Sequence, residues 1–522
     1  MIDLELTNNR GFKWQHIDSL YFKGYIFLKN ELLTIDRLLN IIVTSSEKLD
    51  SVLCDLNGCF TFIYYENNRL IIVTDKIGLF PIYYEFINNR YHIFDDPNNT
   101  VQKELDTEML NRFSYIGSTE RNHTFFKNVS VTLPSTIIKI DNNTLSTIKY
   151  FKWSECHECK TFAPNEFSNS ITDSIRRLIK YANGRRIVVP LSGGHDSRLI
   201  LYYLHKLSYD NVITFTYGNK DCQDVHSSQK IAEYFGYKWA FVEYTKSKCR
   251  KYYYSPNYLK LANYISNAFT IPHIQDWVAI QTLLEEGYIK NDDIIVPGHS
   301  GDVMCGSMIT KEMVEKEEYS PEFYKDYIQR TFYRLNQNKS KSVKKDILEN
   351  IIVPFKCNVD SNQFIHFVED YNLNERHSRV YAHAVKMYEY YNLQWYLPLW
   401  DNAFIQFWHS IRWQDRIDRN AFVGFVNDEY KILFDIAPVA GHPFWKVHRN
   451  HLINLLAKIR RIRKNYYSNP INYYFFLKYF EYLKFVIFYH TSSYYFMFGK
   501  RFIKLLKSGA VYELDKENDR KV

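Results

Sequence analysis

Cysteine is scarce in this chain, and long apolar runs are missing altogether. Eight cysteines among 522 residues make no disulfide framework. Cys156-His157-Glu158-Cys159 has metal-type spacing, but no second Cys/His pair follows at finger distance, so a zinc site there needs two remote ligands. A run of about 18 apolar residues, the length that spans a bilayer, does not occur. The nearest, Phe485 to Phe498, is interrupted by His490, Thr491, Ser492 and Ser493. Met1-Ile2-Asp3-Leu4-Glu5 lacks the basic-then-apolar order of a secretion signal. Internal repeats and low-complexity linkers are also absent. These absences predict a cytoplasmic protein. Nor is charge strongly one-sided: the formal net is +8, and much of the surplus gathers between Lys446 and Lys507. A basic surface attracts phosphorylated substrates or an anionic membrane, so a peripheral contact with the inner membrane face is one expectation. No nucleic-acid partner is expected, and oligomeric state is not legible.

What is present reads as an ordinary globular chain, 46% apolar and 24% charged. Its length predicts two domains. Tyr (44) and Phe (37) are abundant beside many Asn, Ile and Lys; an A+T-rich genome accounts for that bias without functional demand. The first 150 residues read as hairpins. Cys59 to Tyr65 and Leu70 to Thr74 flank Glu66-Asn67-Asn68, Phe86 to Phe94 folds around Asn88-Asn89, and Thr136 to Ile140 leads into Asp141-Asn142-Asn143. After about Lys160 the period changes. Helical spacing over Ser168 to Tyr181 is followed by a buried strand at Ile187 to Leu191 and a helix through Leu199, Tyr203 and Leu207. A strand at Val212 to Tyr217, a helix at Asp224 to Phe235 and a strand at Trp239 to Val242 complete the alternation. That order predicts a parallel sheet covered by helices. From Tyr319 onward helices dominate, with one long helix expected over Asn374 to Tyr391 and another over Lys446 to Lys464. The expected fold is α/β: an antiparallel, β-rich domain over 1–155, and a parallel-sheet domain with added helices over 160–510, divided near 152–165.

Ser192-Gly193-Gly194-His195-Asp196-Ser197 stands where a buried strand meets a helix start. Glycines there let backbone approach a ligand closely. The unpaired N–H groups and dipole of the first helical turn favour an anion. Ser192 and Ser197 add hydroxyls, and Asp196 offers oxygen to a hard cation such as Mg²⁺. No Gly-Lys-Ser/Thr follows, so this is not a Walker loop.

A strand ending in Ser-Gly-Gly-x-Asp-Ser resembles the signature of the PP-loop ATP pyrophosphatases, which grip the pyrophosphate of ATP and make adenylates. Further segments are similar to one branch, the class B asparagine synthetases and their relatives. They are Thr214-Phe215-Thr216-Tyr217-Gly218 with Asp224, Asp293-Ile294-Ile295-Val296-Pro297-Gly298-His299-Ser300-Gly301-Asp302, and Pro398-Leu399-Trp400-Asp401. Leu56-Asn57-Gly58 and Asp75 through Tyr84 are similar to that family's N-terminal glutaminase-like domain, of Ntn-hydrolase type. The resemblance implies a doubly wound PP-loop domain in which Leu191, Ser192, Gly193, Gly194, Asp196 and Ser197 hold the triphosphate. It implies that Gly218 and Gly298 pass close to base and ribose, and that Asp196 and Asp302 share Mg²⁺. ATP and Mg²⁺ are the implied cofactors. A carboxylate is then adenylated with loss of pyrophosphate, and an amine takes the acyl group.

The departures from the family carry equal weight. Its glutaminase needs a cysteine next after the initiator Met; Ile2 stands there, and Cys54 and Cys59 are internal. Tyr21 to Glu31 shows nothing like the family's glutamine-site segment. The expected first domain is a retained scaffold, and amide formation is expected to be glutamine-independent, with free ammonia or an amine as donor. β-Lactam synthetases and lasso-peptide cyclases share that loss. His299 occupies the position of a family residue assigned to proton handling and is the candidate base, with Glu375 or Glu389 as its candidate orienting group. Val303 replaces an acidic residue. Lys446 is the candidate for steadying charge near pyrophosphate, with Lys431 behind it. Pro297 to Asp302 together with Ser197-Arg198 resembles asparagine-synthetase-like proteins encoded among surface-polysaccharide genes, which implies a sugar carboxylate as acid. A cyclase and a nucleotide-binding pseudoenzyme stay open as alternatives. A tRNA-thiolating enzyme would need paired cysteines near the loop, and Cys222 stands alone.

Overall fold

The computed structural model describes residues 2–45, 49–153, 159–218, 220–253, 255–333 and 341–437. Lys446, the helix expected over Lys446 to Lys464, the basic segment to Lys507 and the apolar stretch at Phe485 all lie outside the described residues, as do Cys156, His157 and Glu158.

Three short-loop hairpins form where Asn pairs stand between β-branched and aromatic runs. Leu56–Glu66 pairs antiparallel with Arg69–Thr74, Tyr83–Ile87 with Arg90–Phe94, and Thr136–Asp141 with Thr144–Lys149. Asn67, Asn68, Asn88, Asn89, Asn142 and Asn143 all have φ between 49° and 62°. Asn tolerates that left-handed conformation, and two such residues in succession make the turn whose twist matches the strands. A seven-stranded sheet includes Leu20–Leu28 beside Leu56–Glu66; a four-stranded one carries Ile2–Glu5 parallel to Arg90–Phe94. Side chains alternate across the larger sheet. Ile63, Leu70, Ile72, Ile138 and Ile140 meet Ile2 and Ile93 of the smaller one and Ile82 just before it, while Phe60, Phe62, Val73 and Ile137 pack on Leu38, Ile42 and Leu53 of two short helices.

Downstream, five parallel strands form a sheet. In chain order they are Ile187–Pro190, Val212–Gly218, Lys238–Glu243, Ile294–Ile295 and Gln394–Trp395, and across the sheet they run 3-2-1-4-5. The fold is therefore mixed α/β, as expected. The winding reverses between the first strand and the fourth. Right-handed crossovers on either side of that reversal put helices on opposite faces and leave a crevice at the strands' carboxyl ends. Helix Pro164–Ala182 feeds the first strand. Its Phe167, Ile171, Ile175 and Leu178 are buried along one stripe, Pro164 opens it, and Asn183 closes it at φ 48°.

The helix expected over Asn374 to Tyr391 is not uniform. Asn372–Tyr381 is a wide π-type helix, Ala382–Val385 a tight 3-10 turn, and only Lys386–Tyr390 regular α. Side chains of the wide part are anchored elsewhere: Arg379 Nη1 donates to Thr119 O (2.7 Å) and Arg376 Nη1 to Phe332 O (2.8 Å). Periodicity alone does not register such tertiary anchors. Among the described residues, no helix is long and apolar enough to cross a membrane.

Candidate active site

The first and fourth strands end side by side, which brings two distant sequence segments together. From the first comes the turn Leu191 to Gly194 and the helix His195–Lys206, with Gly194 as its N-cap. The turn is held from within: Ser197 Oγ accepts from Ser192 N (3.1 Å), and Ser192 Oγ accepts from Gly194 N (3.1 Å). Leu191 is buried, its N–H on Phe215 O (2.8 Å) and its carbonyl receiving Thr216 Oγ1 (2.7 Å). A Cβ on Gly193 would stand 2.4 Å from Asp224 Oδ1, so the glycine lets the turn lie close to the Asp224 carboxylate. Gly218 ends the second strand at φ 140°, and a Cβ on it would meet open space.

From the fourth strand comes Gly298-His299-Ser300-Gly301-Asp302. A Cβ on Gly298 would be 3.0 Å from Ser197 N, and one on Gly301 would be 2.8 Å from Asp196 Cγ, so glycines let this turn lie directly on the loop helix. Asp302 N donates to Asp196 Oδ2 (3.1 Å), while Asp196 Oδ1 is buried with no hydrogen-bond partner. Burial, and then the neighbouring Asp302 carboxylate, push the Asp196 carboxyl up to about 8. An orphaned buried carboxylate oxygen beside a second carboxylate suits a divalent cation, so these two residues could hold Mg²⁺. A second donor cluster contrasts with it. His366, Glu369 and His409 bring donor atoms within 4.8 Å of one another, but the Arg416 guanidinium pairs with Glu369 and supplies the positive charge there.

His299, three residues before Asp302 in the chain, is half-buried. Burial lowers its pKa to about 4, so the ring is neutral near pH 7, and its Nδ1 has no hydrogen-bond partner. Neither carboxylate expected to orient it does so. Glu375 Oε2 accepts from Arg121 N (2.9 Å), and Glu389 is bonded to Lys386 Nζ (2.8 Å) and Trp395 Nε1 (3.0 Å). The groups whose charge couples to His299 are two imidazoles, His273 and His377, both depressed to about 3 by burial first and by His299 second. His377 Nε2 lies 2.6 Å from Ser300 Oγ, which also accepts from Trp400 Nε1 (2.7 Å). These two contacts hold Ser300 at φ 79°, a strained conformation for serine. Nothing in the local sequence marked His273 or His377, which are brought in from 26 and 78 residues away along the chain. Lys431 is exposed at the start of helix Lys431–Ile436. Asp401, from the late motif, is buried against Arg177 and Asn57 rather than facing the crevice.

Residues 40–151 match the model of a glutamine amidotransferase domain. A stretch of 53 residues is 40% identical to 7-cyano-7-deazaguanine synthase of Thermoplasma acidophilum, covering 10% of this chain and 22% of that protein, so the chain spans under a quarter of that relative. Among solved structures, similarity extends to an NH3-dependent NAD synthetase from Campylobacter jejuni (12% identical, 33% of this chain and 75% of that one, TM-score 0.21). It extends also to the glutamine phosphoribosylpyrophosphate amidotransferase from B. subtilis (11%, 45% and 72%, TM-score 0.19).

Proposed function

We propose that the protein is an ATP-dependent amide ligase that forms AMP. A substrate carboxylate attacks the α-phosphorus of ATP, giving an acyl-adenylate and pyrophosphate. An amine then displaces AMP, and its surplus proton leaves. The observation that carries this reading is the Asp196–Asp302 pair, with its orphaned Oδ1, at the N-terminus of the loop helix. Asp196 and Asp302 would hold Mg²⁺, which would supply charge neutralisation along the phosphates. The turn Ser192 to Gly194 presents hydroxyl and N–H donors to the β- and γ-phosphates, Gly218 leaves room at the nucleoside end, and neutral His299 accepts the proton from the attacking amine. Adenylation precedes that proton transfer. His299→Ala is therefore expected to leave ATP–pyrophosphate exchange within about threefold while slowing amide release by about 10²- to 10³-fold, read by product mass in single-turnover mixing. Equal loss of both activities would remove His299 from the second step.

The amine comes from solution, not from glutamine. Ile2 packs its apolar side chain into the space between the two amino-terminal sheets. Cys59 is buried, takes a hydrogen bond from Tyr25 OH (3.2 Å), and burial pushes its thiol well up. The seam between the amino-terminal sheets and the parallel sheet is filled by stacked rings, Tyr25 on Tyr396 (4.5 Å) and Phe80 on Trp395 (5.6 Å). The acid is a sugar carboxylate on the motif resemblance. The test is ATP–pyrophosphate exchange with Mg²⁺ over a panel of carboxylates that includes a hexuronate, followed by product mass with labelled ammonia or amines. Exchange that depends on one uronate supports the reading. ATP binding without exchange on any acid overturns it, and amide nitrogen from labelled glutamine with the purified chain overturns the choice of donor.

A further inference from the structure

We propose that Arg419 is a catalytic residue of this site, its guanidinium contacting the pyrophosphate end of the nucleotide and holding the negative charge that gathers there as pyrophosphate leaves. The proposal rests on the adenylating reading above. Arg419 lies more than 100 residues beyond Asp302 and belongs to none of the motif segments.

Both sides of Arg419 are pinned to the site. Before it, Arg416 Nη2 donates to Met304 O (3.3 Å), two residues past Asp302, and the Arg416 carbonyl lies 2.4 Å from where a Cβ on Gly306 would stand. After it begins helix Asn420–Glu429, whose Phe422 ring lies 6.1 Å from that of His195, the first residue of the loop helix. Between these pins, Asp418 and Arg419 take φ of 52° and 61°. Two successive non-glycine residues in the left-handed region cost about 1–3 kcal/mol each and persist only where the surroundings impose them. The two pins bring a half-buried arginine close to the start of the loop helix.

The neighbouring arginines are already occupied. Arg416 pairs with Glu369, and Arg198 Nη2 donates to Gly193 O (3.0 Å). Among the described residues the Arg419 side chain makes no hydrogen bond or ion pair. The carboxylates that would hold Mg²⁺ and an uncommitted guanidinium nearby leave a place for an anion at the N-terminus of the helix. Arginine matches phosphate oxygens with a planar fork of donors.

The test uses the full chain, with Arg419→Ala, Arg419→Lys and Arg419→Gly. Glycine relieves the left-handed backbone, so it reports loss of the guanidinium even if the alanine variant folds poorly. ATP–pyrophosphate exchange is expected to fall about 10²- to 10³-fold in kcat with the alanine and glycine variants, with the acid's KM nearly unchanged and partial recovery in the lysine variant. Calorimetry with inorganic pyrophosphate and Mg²⁺ is expected to show at least about tenfold weaker binding, with AMP binding unchanged. A role confined to the fold would weaken AMP and pyrophosphate binding together and lower the melting temperature of the glycine variant, and that result overturns the proposal. So does unchanged pyrophosphate binding. If the parent protein shows no exchange with any acid, the adenylating reading fails by itself, and the pyrophosphate titration still decides Arg419.

Discussion

Replacing Asp196 by Asn is expected to reduce ATP–pyrophosphate exchange by about a thousandfold while making the metal-free protein more stable at pH 8. Activity falls because Asp196 is one of the two carboxylates that would hold Mg²⁺, and an amide binds Mg²⁺ poorly. Stability moves the other way for an electrostatic reason. In the fold the Asp196 carboxyl ionises near 8 instead of its ordinary 3.8, because it is buried and faces Asp302. The folded state therefore holds a proton that the unfolded chain releases. The stabilisation is complete below about pH 4 and is lost as pH rises to about 8. Thermal melts should show the parent protein losing stability across that window without Mg²⁺ and regaining it at pH 8 when Mg²⁺ is added. The Asn variant should be flatter with pH and should not respond to Mg²⁺. An identical Mg²⁺ shift in parent and variant would place the cation elsewhere.

Asp401→Ala is expected to be strongly destabilising, costing about 3–5 kcal/mol. Asp401 is almost fully buried and accepts four hydrogen bonds: from Arg177 Nε (2.7 Å) and Nη2 (2.6 Å), Asn57 Nδ2 (2.8 Å) and Ala403 N (2.9 Å). It thereby joins a strand of the antiparallel sheet, the helix that feeds the parallel sheet, and the start of helix Asn402–Ser410. Removing it leaves the Arg177 guanidinium buried without its counter-ion, which costs far more than the net worth of the pair. Urea titration measures the loss. The double variant Arg177→Met, Asp401→Leu should recover most of it, because a packed apolar pair carries no desolvation penalty. A single Asp401→Ala within about 1 kcal/mol of the parent would mean that Arg177 finds another acceptor.

Much of the fold was legible because its signals are local. Asn67-Asn68, Asn88-Asn89 and Asn142-Asn143 each marked a turn, since the left-handed backbone a tight hairpin demands is one that Asn adopts at little cost. The alternation of buried strands and amphipathic helices after Pro164 likewise reads directly as a parallel sheet. Asp196 and Asp302 were legible as a pair only through motif resemblance; they meet because their strands are neighbours at the reversal in strand order. The orienting partner of His299 was not legible. Glu375 and Glu389 have suitable chemistry, but each is committed to another partner, and the wide helix Asn372–Tyr381 presents His377 to Ser300 instead.

By itself, the sequence determined the turns, the order of elements and the glycine-lined loop, because each depends on conformational preferences within a few residues. Only the tertiary structure decided which groups surround that loop. The orphaned Asp196 oxygen, the raised carboxyl, the neutral imidazoles and the strained Arg419 all depend on burial and on neighbours more than 20 residues away along the chain, which local preference does not encode.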